Sequence, residues 1–196
     1  MTAMNRRRAA VLLSLGLALA STAALADNPK VKFTTTAGDF VVEVYPDKAP
    51  KTVENFLQYV KDKHYDGTVF HRVIDNFMVQ GGGFDTHYVE KPTRAPVVHE
   101  GREALAKGGP RNVAGTVAMA RTNDPNSATA QFFINVKDNA FLDPSVGQYG
   151  YTVFGKVVSG MDVINKIKAM PTGAGGPFRS DVPATPVVIT SARLVK

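Results

Sequence analysis

Phe70-His71-Arg72-Val73-Ile74-Asp75-Asn76-Phe77-Met78-Val79-Gln80-Gly81-Gly82 is the most informative stretch of the chain. Residues 69–73 and 77–80 read as two short strands broken by polar turn-forming residues. Side chains alternate across a strand, so Phe70 and Arg72 are expected on one face, and Met78 and Gln80 on one face of the next strand. A cation, a thioether and an amide would then line one concave wall. Further on, Gln131-Phe132-Phe133-Ile134-Asn135 puts Gln131 and Phe133 on a common face by the same period, and Phe141-Leu142-Asp143 adds apolar surface from a loop.

Outward from this stretch, short strands dominate. Residues 31–35 and 40–44 flank Thr36-Ala37-Gly38-Asp39 and predict an antiparallel hairpin. Further strands are expected at 97–99, 113–120, 131–135, 153–158 and 187–194. A helix is predicted from Pro50, which the first turn tolerates, through Lys61, with Val53, Phe56, Leu57 and Val60 on its apolar face. A second helix is predicted over 161–170, where Val163, Ile164 and Ile167 form a stripe and Pro171 ends it. Residues 173–177 read as a loop. So many short strands with so few helices predict a mainly β fold, a closed antiparallel barrel, and no linker divides the chain.

Residues 1–26 read differently. Arg6, Arg7 and Arg8 precede an apolar run from Ala9 to about Ala20, and Ala24-Leu25-Ala26 supplies small residues for cleavage. This is the pattern of a secretory signal peptide, with an uncleaved membrane anchor as the rival reading; cleavage leaves 27–196 as a single mature domain with no membrane attachment, expected in a bacterial periplasm, a eukaryotic secretory lumen being the alternative. The sequence has no cysteine, which removes disulfides and a lipid-bearing cysteine from consideration. The formal charge of +6 includes the three leader arginines, and no basic run remains beyond them, so nucleic-acid binding has little electrostatic support.

The series F-H-R-V-I-x-x-F-M-x-Q-G-G, then Q-F-F-I at 131–134, F-L-D at 141–143 and V-F-G-K-V at 153–157 resembles the cyclophilin family of peptidyl-prolyl cis-trans isomerases. The resemblance covers nearly all of 27–196. It implies an eight-stranded antiparallel barrel capped by two α-helices, with a groove on the outer surface. By the resemblance, the catalytic residues are Arg72 and Gln80, and Phe77, Met78, Phe133 and Leu142 receive the proline ring. Ala120 and Arg121 lie along the substrate backbone, where many members carry Asn at the second position, and Gln131 is a further groove residue. Phe141 stands where many members have Trp, which implies weaker cyclosporin binding, and Tyr151 stands where many have His. The expected partners are proline-containing peptides and unfolded exported proteins, with the enzyme a monomer and no cofactor required.

This residue set suits the reaction. An X-Pro amide has cis and trans forms within ~0.5–1 kcal/mol, yet exchanges slowly because rotation breaks conjugation. No bond is cleaved, so neither nucleophile nor metal is needed; the site has only to bind the twisted amide better than the planar ones. Other chemistries find less support. His64, His87 and His99 have no metal-ligand spacing with His71, which is itself expected to be structural. Gly81-Gly82-Gly83 lacks the lysine and helix start of a phosphate loop and reads as a close backbone approach. Ser127 and Thr129 have no acid and histidine partners in view. A proline-recognising adaptor on the same barrel is the alternative function; a carrier using the barrel interior is disfavoured by the bulky residues that should fill it.

Overall fold

The β1 (Lys30–Thr35) and β2 (Gly38–Val44) strands form a hairpin in which Val31 faces Val42 and Phe33 faces Phe40. This computed structural model describes residues 27–195, so the leader reading of 1–26 lies outside the described residues. Period-two alternation sends Val31, Phe33, Phe40, Val42 and Val44 inward, where all are buried. The tight turn is closed by Thr35, whose hydroxyl donates to the Gly38 carbonyl and accepts from the Ala37 N–H.

The remaining wall strands are β3 (Thr68–Ile74), β4 (Met78–Asp85), β5 (Thr116–Met119), β6 (Phe132–Asn135), β7 (Val153–Ser159) and, after an intervening hairpin, β10 (Val188–Val195). They close in the order β1-β10-β3-β4-β6-β5-β7-β2, eight antiparallel strands as expected. The interior is solid. Phe33 stacks on Phe40 at 4.9 Å and lies within 6.2 Å of Phe56, Tyr65 and Phe132, so aromatic rings fill the space a carried ligand would need.

Helix α1 (Pro50–Lys61) sends Val53, Phe56 and Val60 into this core beyond the Val44 end of the first hairpin. Its N-terminal residue Ala49 offers no side-chain cap. Glu100 supplies one from a distance, accepting from the N–H groups of Lys51 and Thr52 and from the Thr52 hydroxyl. Helix α3 (Met161–Lys168) buries Ile164 and Ile167 at the other end, close to the β1–β2 turn, where a Cβ on Gly38 would come within 2.8 Å of Val163.

Four expectations are corrected. A third helix, α2 (Gly101–Ala106), is present; at six residues it is too short to show a period. The second expected helix stops at Lys168 rather than at 170. The strand expected at 97–99 is a single bridge from Val97 to Ala128, because Pro96 and the loop beyond it supply no continuing partner. The loop expected at 173–177 runs through a hairpin of β8 (Thr172–Gly175) and β9 (Phe178–Pro183). That hairpin lies against β3. Beneath it the barrel has its weakest join, since β10 and β3 pair at only Val188–Val69 and Ile189–Thr68.

Candidate active site

Along β4 and β6 the alternation places Val79, Phe132 and Ile134 inside, and Met78, Gln80 and Phe133 on the outer surface. On β3 it breaks. Phe70 opposes Gly81 and Arg72 opposes Gln80, so a β-bulge lies between them. Phe70 therefore enters the core while Arg72 is exposed and faces the groove, which corrects the expectation that they share a face. The bulge brings the guanidinium beside Gln80.

A cavity of about 160 Å³ is lined by Arg72, Phe77, Met78, Gln80, Ala120, Arg121, Phe133, Leu142 and Tyr151. It is smaller than the ~300–1,000 Å³ of a pocket for a drug-sized ligand and suits one compact ring. A wider open depression of about 550 Å³ between α1 and β10 sets Gln58, Lys61, Lys63 and Arg193 beside Pro46, Leu57 and Leu194, but the Glu54 carboxylate shares that lining and Arg193 is paired to Asp66 at 2.6 Å. Nine of the eleven residues expected at the site thus meet in one groove. Gln131 stands behind it, accepting at 3.1 Å from the Gln80 amide and so orienting that side chain. Gly83 makes this possible, because a Cβ there would lie 2.4 Å from the Gln131 side chain. Phe141 lies outside the cavity, 66% exposed and stacked on Phe77 at 5.7 Å.

Two groove-floor residues were not anticipated. Ala118 and Val153 pack with Met78, Phe133 and Leu142 in a cluster separate from the barrel core. The signal was available, since Ala118 sits between inward Val117 and Met119 and opposes Phe133. Leu142 reaches the groove from a 3₁₀ turn, Ala140–Leu142, held by a buried polar network. Asn139 donates to the Phe77 carbonyl and to Asn135, while the Asp143 carboxylate accepts from the backbone and side-chain amides of Asn112. The F-L-D sequence thus combines an apolar contact with its own anchor.

The Arg72 side chain makes no hydrogen bond or ion pair among the described residues. No carboxylate lines the cavity. A cation with no acid beside it keeps its donors free for a ligand. His71 next to it does something else. It is buried between Phe84 and Phe178, at 4.7 and 5.2 Å, and burial pulls its pKa from 6.5 down to about 4, with the Arg72 charge adding and a hydrogen bond to the Val69 backbone opposing. A neutral imidazole under the β8–β9 hairpin is a packing residue. Among the described residues no group of three or more His, Asp or Glu is placed to hold a metal ion.

A sequence model described as "Cyclophilin type peptidyl-prolyl cis-trans isomerase/CLD" matches residues 30–194, the whole barrel. The chain belongs to the cyclophilin family. Among similar cyclophilins, a peptidyl-prolyl cis-trans isomerase of Streptomyces antibioticus is 54% identical over 168 residues, covering 84% of this chain and 98% of that protein. Peptidyl-prolyl cis-trans isomerase A of Dickeya dadantii is 48% identical over 193 residues, covering 98% of each. A crystal structure of a Cryptosporidium parvum cyclophilin type isomerase superposes with a TM-score of 0.69 at 22% identity, covering 86% of this chain and 98% of that one. With relatives this similar over nearly their full length, the chain is a peptidyl-prolyl cis-trans isomerase.

Proposed function

We propose that isomerisation takes place in the groove beside Arg72, with the proline ring seated against Phe77, Met78, Phe133 and Leu142. The observation that carries this is an unpaired guanidinium next to a cavity the size of one ring. As the C–N bond twists, the prolyl nitrogen becomes pyramidal and its lone pair becomes available to a donor. Arg72 donates to that lone pair and stays protonated at any working pH. The planar ground states offer no such acceptor, so the bond forms only where it lowers the barrier. Gln80, held by Gln131, fixes the adjacent peptide. A charge-assisted hydrogen bond of ~1.5–3 kcal/mol supplies roughly ten- to a hundredfold, and positioning and desolvation supply the rest.

The test is the cis-to-trans relaxation of a short X-Pro peptide with the wild type and with Arg72→Ala. The variant should lose about ten- to a hundredfold in kcat/KM. An unchanged value would remove Arg72 from the mechanism.

The substrates proposed are proline-containing segments of unfolded exported proteins, encountered in the periplasm after removal of residues 1–26. The basic, apolar and small-residue blocks of that leader and the cysteine-free composition support this. A proline-peptide ligand is supported by a Cryptosporidium parvum cyclophilin type isomerase crystallised in the presence of the dipeptide Ala-Pro. Fractionation with N-terminal sequencing should find a protein beginning at Asp27 outside the cytoplasm; an intact Met1 there would contradict the leader reading. Cyclosporin should bind weakly, since Phe141 offers a small exposed ring where an indole would reach further.

A further inference from the structure

Arg121 lines the groove, yet each of its three nitrogens is already committed to backbone. Nε and Nη2 donate to the Gly150 carbonyl at 3.0 and 2.8 Å, and Nη1 donates to the Thr122 carbonyl at 2.8 Å. The same guanidinium lies over the Tyr151 ring, 4.7 Å from its centroid. Tyr151 in turn meets Phe133 edge-on at 5.4 Å and 83°, and its N–H donates to the Leu142 carbonyl at 2.9 Å. Two of the groove's apolar residues are therefore tied to the segment Arg121 holds.

The Gly150 carbonyl has a third donor. Gly101 N–H points at His99 Nδ1 at 3.2 Å, so the ring proton sits on Nε2, which lies 3.2 Å from the Gly150 oxygen. Gly150 itself has φ +64°, and a Cβ on it would stand 2.4 Å from Pro144 N and 2.6 Å from the Leu142 oxygen. Gly150 is thereby pinned from both sides, and the ring that follows it has little freedom.

We propose that Arg121 is a positioning residue, which clamps Gly150 and Tyr151 so that the Tyr151 ring stands as a fixed wall of the proline groove. Arg121 acts on the substrate through Tyr151 and not by contacting it. This rests on the groove being the active site. A wall meets the proline ring in the planar and twisted amide alike, so its loss weakens uniform binding, which raises KM and leaves kcat little changed.

The experiment is a double-mutant cycle on an X-Pro peptide with Arg121→Ala, Tyr151→Ala and the double variant, reading kcat and KM separately. Arg121→Ala should raise KM about fivefold, and less than about twofold when Tyr151 is already Ala. Arg121→Lys, which keeps the charge over the ring but not the forked grip on Gly150, should fall between, and it serves as the second variant if Arg121→Ala does not fold. An equal KM effect in both backgrounds, or an effect on kcat alone, would overturn the positioning role while leaving the site intact. If neither single variant shifts KM, and Arg72→Ala retains full activity, the groove is not the site and both readings fall.

Discussion

Replacing His71 with Phe should flatten the acid side of the stability profile. The imidazole is 3% exposed between Phe84 and Phe178, its Nδ1 has no partner, and burial holds its pKa near 4. In the unfolded chain the ring titrates near 6.5. The folded protein therefore resists a proton that the unfolded chain accepts. The resulting stabilisation is complete above pH 6.5, declines as pH falls, and is gone below about pH 4. At about 1.36 kcal/mol per pH unit, the interval from pH 7 to pH 4 removes about 3 kcal/mol. Urea unfolding of wild type and His71→Phe at both pH values measures this directly. The wild type should lose about 3 kcal/mol more than the variant. Carboxylates, His64 and His99 titrate in both proteins and cancel, and any packing change from Phe is present at both pH values. Equal losses would show that the His71 ring is hydrated or paired, against the geometry that seals it.

Glu100→Gln places an amide donor against the N–H groups at the start of α1 and should cost about 1–3 kcal/mol in urea unfolding; a change under about 0.5 kcal/mol would refute its capping role. Phe33→Ala opens the centre of the aromatic core and should cost about 3–5 kcal/mol by the same assay, with a smaller loss implying a core that collapses onto the gap. Gly150→Ala forces a Cβ into the backbone of residues 142–144 at positive φ, and should lower kcat/KM for an X-Pro peptide about tenfold; full activity would show that this loop does not position the groove.

Much of the groove was legible because it lies on strands whose period is two. Met78 and Gln80 share a face as the spacing requires, with Phe133 opposite Gln80 on the neighbouring strand. Arg72 reaches the same surface for a different reason. Its bulge is a mismatch of register with β4, and no single strand carries that information. The roles given to Arg72 and Gln80 came from family resemblance, since an isolated arginine on a strand has many ordinary uses. The β8–β9 hairpin escaped notice because Thr172, Gly173 and Ala174 are exposed and show no alternation; Phe178 holds it through His71 and Phe84, partners distant in sequence. The Asn112–Asp143 network was invisible for the same cause, as residues 31 positions apart meet only after folding.

Closure of the barrel has a bearing on how this enzyme can touch its substrates without keeping them. An unfolded polypeptide carries a full complement of unmet amides and carbonyls, and an open sheet rim would enlist it as one more strand and retain it. Here the eight wall strands satisfy one another around the circle, and β9 rests against the strand that flanks the thin join. The barrel wall thus offers a passing chain no free edge to extend, and contact is left to the groove beside Arg72.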